Sequence, residues 1–211
     1  MNKVRKELVY TALVVLLAFF AVGYTSCKKT ETTPSVDDAC ANVVCQNGGT
    51  CFKGDCSCPV GYEGTYCQTK SASKYVGKWQ VEEKVVVSSD NAKVGTTRNY
   101  TVEIVQTSAI AYELSVNNFR GNASHNNVGW RLGWQYITDD DGNESQTLAP
   151  STQFLFVRKQ VLNGSKITIE SGSGTVNNTG TFMSGSFKTT EPDSAGKAYR
   201  ETCEFSAVYI P

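Results

Sequence analysis

The segment YVGKWQVEEKV, residues 75–85, is the clearest indication of fold in the C-terminal part of the chain. Its odd-numbered positions are mostly apolar, among them Tyr75, Trp79 and Val85, and its even-numbered positions are mostly polar. Successive side chains of a β-strand point to opposite faces, so a period of two is typical of a strand with one buried face. The segment therefore predicts a half-buried strand.

Further segments towards the C-terminus repeat this pattern, and Asn, Asp, Gly and Ser clusters separate them. They are Asn99–Val105, Val128–Tyr136, Phe154–Val157, 166–170, Thr181–Phe187 and Tyr199–Tyr209. In Val128–Tyr136 the apolar residues Val128, Trp130, Leu132, Trp134 and Tyr136 are predicted to share one face. No segment has apolar residues at helical spacing over three turns. The sequence predicts an all-β domain over residues 74–211, an antiparallel β-barrel or, alternatively, a β-sandwich.

Two points of this domain resemble lipocalin-like barrels. Gly77-Lys78-Trp79 opens the first predicted strand, and Arg200 lies in the last one. In that family a Trp near the N-terminus plugs the closed end of the barrel, and a basic side chain of the final strand packs over it. The resemblance implies a Trp79–Arg200 contact, and a barrel of this size can hold one small hydrophobic ligand. The candidate cavity residues are Trp79, Trp130, Trp134, Tyr136, Phe154 and Phe205, with a solid aromatic core as the alternative.

Six of the eight cysteines cluster ahead of this domain, with the spacing C-x4-C-x5-C-x4-C-x-C-x8-C over residues 40–67. So short a segment cannot bury a sufficient hydrophobic core and needs disulfides or metal. Zinc sites usually contain C-x2-C pairs, which this cluster lacks, and no His lies nearby. The cluster therefore predicts three disulfides formed in an oxidising compartment, although the spacing alone leaves many pairings open.

The stretches CQNGGTC, from Cys45, and CSCPVGYEGTYC, from Cys56, resemble an epidermal-growth-factor-like (EGF-like) module. The resemblance implies the pairs Cys40–Cys51, Cys45–Cys56 and Cys58–Cys67. Some members of that family bind calcium through acidic residues ahead of the first cysteine, where this chain has Asp37 and Asp38. The loop Phe52–Asp55 is too short for the hairpin that carries further ligands, and calcium needs about six to eight oxygens. No metal site is predicted.

The N-terminus begins with Lys3, Arg5 and Lys6, followed by an apolar run from Leu8 to Gly23. This order is typical of a secretory signal, and the run is shorter than the ~20 residues of a membrane-spanning helix. Thr25-Ser26-Cys27 resembles a bacterial lipobox, which implies removal of residues 1–26 and acylation of Cys27, for example with palmitate. The alternative is an uncleaved signal-anchor helix. Residues 27–39 are polar and predict a flexible tether.

This combination of segments resembles surface or periplasmic lipoproteins of the Bacteroidota type, which implies an outer-membrane location. Asp193-Ser194-Ala195 also resembles the O-glycosylation motif of that group, which makes Ser194 a candidate modification site. An ordinary loop is the alternative.

Candidate catalytic residues are few. The single His, His125, lies in an Asn-rich segment and is predicted to be a solvated loop residue. Asp139–Glu144 does not fit a calcium loop and predicts a hairpin turn. Cys203 lies on the same face of its predicted strand as the apolar residues, and it is predicted to be buried and inert.

The balance of 20 Lys+Arg against 20 Asp+Glu, without a basic block, argues against nucleic-acid binding. We therefore expect a non-catalytic, membrane-anchored binding or interaction protein without a cofactor. Its partner would be an unknown protein. The alternative is a carrier of a small hydrophobic ligand, and an enzyme is the third possibility.

Overall fold

The computed structural model describes residues 38–106, 108–193 and 195–211. Four short 3-10 turns lie at Asp38–Cys40, Ser71–Lys74, Asn91–Lys93 and Phe119–Gly121. The strands are β1 Thr50–Phe52, β2 Asp55–Ser57, β3 Tyr62–Glu63, β4 Thr69–Lys70, β5 Gly77–Ser88, β6 Thr97–Val105, β7 Glu113–Asn117, β8 Val128–Leu132, β9 Trp134–Thr138, β10 Glu144–Leu148, β11 Gln153–Phe156, β12 Gln160–Val161, β13 Thr168–Val176, β14 Phe182–Pro192 and β15 Ala198–Ile210. The predicted signal peptide, Cys27, nearly all of the tether and Ser194 lie outside the described residues.

Three disulfides hold the N-terminal module, residues 40–67. They join Cys40 to Cys51, Cys45 to Cys56 and Cys58 to Cys67, the same pairs that the resemblance implied. Strands β1 and β2 form a hairpin in which Cys51 lies opposite Cys56. Gly49 packs so closely against the last bridge that a Cβ there would lie 2.7 Å from Cys67 Sγ. Covalent links and a close backbone approach thus replace a hydrophobic core in this module.

Eight of the strands that follow the module form a closed antiparallel barrel. The strand order is β11-β8-β7-β6-β5-β15-β14-β13, and β13 pairs back onto β11, so that eight strands close on themselves. Strand β12 adds to the edge of β13. The prediction of an all-β antiparallel barrel is confirmed, and the closure through β11 and β13 distinguishes it from a sandwich. Closure pairs the edges that would otherwise be exposed.

Aromatic rings fill most of the barrel interior. Trp130 stacks on Phe154 with ring centroids 4.1 Å apart, and Phe156 packs edge-on to Trp130 at 5.2 Å. Glycines on β13 make room for these rings, since a Cβ on Gly174 would lie 2.5 Å from Phe154 Cζ. Most of the buried apolar residues form one continuous core.

The disulfide module packs against one end of the barrel. Glu63 accepts hydrogen bonds from Lys74 Nζ at 2.8 Å and from Ser151 Oγ at 2.7 Å. Gly61 lies against Ala111, where an added Cβ would come within 2.8 Å of the Ala111 Cβ. These barrel residues precede β5, β11 and β7, which all start at the same end because neighbouring strands are antiparallel. We call it the module end; Trp79, near the start of β5, lies close to it.

The predicted strand Val128–Tyr136 is interrupted at Gly133. Gly133 has φ +70°, a left-handed conformation that favours glycine, and the chain leaves the barrel there. Strand β9 pairs with β10 in a separate two-stranded ribbon rather than continuing β8. The prediction that Trp134 and Tyr136 share a face with Trp130 is therefore wrong. The ribbon turns at Asp139–Asn143, as predicted, where Asp139 accepts the backbone N–H of Asn143 at 2.7 Å.

The implied contact between Trp79 and Arg200 is absent. Trp79 is fully buried, its Nε1 donates to the Tyr75 carbonyl at 2.7 Å, and the Tyr209 ring packs edge-on to it at 5.4 Å. Arg200 is exposed, and its backbone N–H donates to Ser89 Oγ at the opposite end of the barrel. Tyr209 covers Trp79 instead, because β15 places Tyr209 directly opposite Trp79 in register.

Candidate functional site

Three glutamates point into the barrel at the end opposite the module. Glu83, Glu201 and Glu191 are 0 %, 2 % and 7 % exposed. Glu83 continues the inward alternation of Trp79 and Val81 on β5, whereas Glu201 and Glu191 lie near the start of β15 and the end of β14. The strand pattern thus forces these carboxylates inward, where an unpaired charge would be very costly. We call this region the cluster end.

A loop residue supplies the central positive charge. Arg120 lies between β7 and β8, and its side chain is 6 % exposed. Its Nη2 lies 2.9 Å from Glu83 Oε1, and its Nε donates to Glu83 Oε2 at 3.2 Å. Nη2 also donates to Glu201 Oε2 at 3.3 Å, and Nη1 donates to Glu191 Oε1. One guanidinium therefore holds all three carboxylates.

A second arginine and three hydroxyl groups complete the network. Arg98 on β6 donates to Glu83 Oε1 at 2.6 Å and to Glu201 Oε2 at 3.4 Å. The hydroxyl bonds are Tyr100 to Glu83 Oε2 at 2.8 Å, Tyr199 to Glu191 Oε2 at 2.9 Å and Thr189 to Glu191 Oε1 at 3.0 Å. We use the name ionic cluster for Glu83, Glu191, Glu201, Arg98 and Arg120. Lys93 lies at its margin, with Nζ 4.0 Å from Glu201 Oε1 and 3.6 Å from the Tyr199 ring centroid.

The surroundings favour the charged forms of Glu191 and Arg120. Burial alone would raise the pKa of Glu191, but the Arg120 charge and hydrogen bonds from Arg120, Tyr199 and Thr189 hold it below the ordinary value. Burial opposes the charge on Arg120, yet Glu83 and Glu191 raise its pKa above the usual range. Glu191 and Arg120 are thus held in their charged forms, and neither of these two groups is a free acid or base at neutral pH.

Cys203 lies beside the ionic cluster. It is buried and receives a contact from Arg120 Nη2 at 3.3 Å. Burial and then the nearby Glu83 carboxylate raise the pKa of the thiol to about 12. The prediction that Cys203 is buried is confirmed, and at neutral pH the thiol is protonated and weakly nucleophilic.

The candidate cavity residues do not line a common pocket. The interior contains a void of about 20 Å³, about the space that one water molecule needs. Only Trp130 and Phe205 of the six candidates line it, whereas Trp79 and Phe154 are buried elsewhere in the core. Trp134 and Tyr136 lie outside on β9, where the Tyr136 hydroxyl donates to the Phe156 carbonyl at 3.0 Å.

His125 is buried, at 3 % exposed, which contradicts the prediction of a solvated residue. Its carbonyl accepts the Phe119 N–H at 3.0 Å, and its N–H donates to Asn122 at 2.9 Å. These bonds fold the segment Asn117–Asn127 back over the barrel end. The Asn-rich composition indicates a loop but not its insertion into the barrel.

The same segment explains why sequence reasoning missed the ionic cluster. Arg120 lies in a stretch of turn-forming residues, where nothing indicates burial. The available signals were Glu83 and Glu201, which occupy inward positions of strands whose neighbouring inward residues are apolar. A carboxylate at such a position requires a cationic partner.

Within the described ranges, no group of three or more His, Cys, Asp or Glu residues is arranged to hold a metal ion. In the same part of the chain no helix has the length and apolar character needed to cross a membrane.

Comparison with known proteins adds little to this description. No protein-family model matches the chain. One similar solved structure is a structural-genomics protein of unknown function from Bacteroides ovatus, with 11% sequence identity and a TM-score of 0.27. The match covers 63% of this chain and 41% of that one, so the chain spans less than half the length of that protein. A similarity this low assigns no function.

Proposed function

We propose that the protein is a non-catalytic, lipid-anchored binding protein of the cell envelope. Its EGF-like module serves as a stapled spacer, and its lipocalin-like barrel carries recognition at the cluster end. The observation that carries the proposal is the difference between the two ends of the barrel. The module occupies one end, and the ionic cluster with its covering loop closes the other. Chain order runs from Cys27 through the module to the barrel, so the cluster end is the one that the spacer leaves available.

The anchor is supported by the sequence. A basic start, an apolar run and Thr25-Ser26-Cys27 match an exported lipoprotein, and acyl chains such as palmitate contribute about 0.8 kcal/mol per buried methylene. The three disulfides fit export, because such bridges persist in oxidising compartments. An outer-membrane location follows from the Bacteroidota-type resemblance.

The spacer role is supported by the packing of the module. Three bridges fix its own chain, and Glu63 binds both Lys74 and Ser151 of the barrel. Tyr75 donates its hydroxyl to the Ser151 carbonyl at 3.0 Å, which ties this contact to the barrel core. These contacts favour a module that holds the barrel in a fixed orientation.

The absence of catalysis is supported by the chemistry of the ionic cluster. General acids and bases need a pKa near the working pH. The pKa of Glu191 is lowered and that of Cys203 is raised, so neither group exchanges protons readily at neutral pH. An activity that survives purification and is lost in Glu83→Gln would contradict this part of the proposal.

The carrier alternative requires an open cavity. Ligand pockets usually enclose roughly 300–1,000 Å³, whereas the void in this barrel is about 20 Å³. The stacked Trp130 and Phe154 rings occupy the volume that a hydrophobic ligand would need. This packing favours binding at the cluster end over transport of a ligand in the barrel core.

The anchor is tested by Cys27→Ala in the native host. We expect the variant to leave the membrane fraction, because its acylation site is lost. Cys203→Ala is the matched control: it removes another cysteine and should stay in the membrane fraction. Retention of Cys27→Ala in that fraction, measured by immunoblot after carbonate washing, would refute the lipid anchor.

A further inference from the structure

We propose that the cluster end is a binding pocket for an organic cation, a guanidinium or primary ammonium group on an apolar stem, and that Arg120 occupies this pocket in the free protein. This inference rests on the proposed binding function and names the class of ligand. Barrel strands supply the three carboxylates and Arg98, whereas Arg120 comes from a loop, whose backbone can move without separating paired strands.

The Arg120 guanidinium is surrounded by groups that would also bind a free cation. Carboxylates of β5, β14 and β15 accept its N–H groups, and the Phe187 ring lies 5.3 Å from its central carbon. An aromatic face beneath a cation ringed by carboxylates is a favourable arrangement for ammonium and guanidinium groups. When Arg120 leaves, the three carboxylates keep, among the described residues, only Arg98 and, 4.0 Å from Glu201, Lys93 as cationic neighbours, so the vacated position attracts a cation.

One carboxylate oxygen of the ionic cluster has no hydrogen-bond donor within the described part of the chain. Glu201 has a fully buried side chain, and its Oε1 has no hydrogen-bond donor among the described residues. Lys93 Nζ lies 4.0 Å from this oxygen, beyond hydrogen-bonding distance. Buried acceptors are nearly always satisfied, so this oxygen can take a further N–H from a bound cation.

The region beneath the cluster suits an apolar stem. The interior void is lined by Tyr100, Phe119 and Phe187, and these residues also border the ionic cluster. Phe119 precedes Arg120 in the chain, and its ring packs on Phe187 with centroids 5.3 Å apart. Withdrawal of Phe119 together with Arg120 would enlarge the void and connect it to the carboxylates.

A cationic ligand that replaces Arg120 substitutes one positive charge for another. Each buried carboxylate keeps a cationic partner, so the penalty for leaving one unpaired does not arise. The loop also carries backbone strain at Arg120, whose φ of 55° lies in a region that side chains other than glycine and asparagine rarely adopt. Releasing the loop relieves that strain.

The test compares n-butylguanidinium with its neutral isostere n-butylurea on the mature, disulfide-bonded chain carrying Arg120→Ala. We expect this variant to bind n-butylguanidinium, measured by calorimetry, about tenfold or more tighter than the wild type, which must first displace Arg120. n-Butylurea should not bind. Arg200→Ala is the matched control: it removes an exposed arginine at the same end, keeps Arg120 in place and should bind no better than the wild type. Binding of both probes alike, or of neither, would overturn the proposal.

A second measurement uses the wild-type protein, in case Arg120→Ala does not fold. Saturating n-butylguanidinium should accelerate hydrogen exchange of the Gly121 amide, which the Asn118 carbonyl accepts at 2.9 Å, and leave β5 unchanged. Unchanged exchange at Gly121 would refute displacement of the loop. These results do not depend on Cys27, so failure of the pocket and failure of the anchor are separate outcomes.

Discussion

The two ends of the barrel are closed by different kinds of interaction. At the module end, Trp79 is fully buried beneath Tyr209, and the disulfide module packs alongside. At the cluster end, five charged side chains pair with one another beneath a loop. Apolar closure does not depend on protonation, whereas closure by ion pairs depends on pH and on which cation is present. Apolar packing therefore closes one end of the barrel, and ion pairs close the other.

The strongest test of the apolar end is Trp79→Ala. Removing this buried ring leaves a cavity and also the Tyr75 carbonyl without its donor, so we expect a loss of about 4 kcal/mol in the free energy of unfolding. Urea denaturation at neutral pH and at about pH 4 should give the same loss. The exposed Lys78→Ala is the control and should change stability little. If Trp79→Ala lowers the free energy of unfolding by much less than Arg120→Met, the cluster-end variant described next, then Trp79 does not dominate closure.

The corresponding test of the cluster end is Arg120→Met. It leaves three buried carboxylates against Arg98 and the more distant Lys93, so we expect a loss of about 3 kcal/mol at neutral pH. The loss should be smaller at about pH 4, because without the Arg120 charge burial raises the pKa of Glu191 and its carboxyl becomes neutral, whereas the loss of Trp79→Ala should not change. Arg98→Met, at a more exposed position, should cost less. Equal losses at both pH values would remove the distinction between the two ends.

Loss of one bridge tests how far the module contributes to closure at its end. Cys58→Ala with Cys67→Ala opens a short loop, and we expect the module to lose about 2 kcal/mol, since short loops gain less from a disulfide. Limited proteolysis should then cleave residues 58–67 while the barrel stays intact. The pair Cys45→Ala with Cys56→Ala provides a comparison at a different bridge. Concerted unfolding of the barrel would mean that the module is part of its core.

The smallest expected effect concerns acid sensitivity. The pKa of Glu191 is lowered in the folded chain, so its contribution is present above the ordinary glutamate pKa and is lost as pH falls through the lowered value. Glu191→Gln should therefore cost about 1 kcal/mol at neutral pH and flatten the acid side of the stability curve. Urea midpoints across this pH range measure the slope. An unchanged slope would show that Glu191 is not coupled to folding.

The sequence predicted the strands where one face is buried and the other solvated. The period of two over residues 75–85 corresponds to most of β5, and Tyr199–Tyr209 corresponds to β15. The prediction from the sequence missed β7, Glu113–Asn117, and it extended β8 past Gly133. The spacing of Trp134 and Tyr136 is compatible with a continuing strand, and only the geometry of a single glycine directs them out of the barrel.

By itself, the sequence determined the alternation of inward and outward side chains, because that alternation is a local property of the backbone. It also determined the need for disulfides in a segment too short for a core. The tertiary structure alone decided which strands meet and which charges pair. Arg120 contacts Glu83, Glu191 and Glu201 across 37, 71 and 81 residues. Barrel closure places those carboxylates at one end, and the burial of their charge then requires the loop to bring in Arg120.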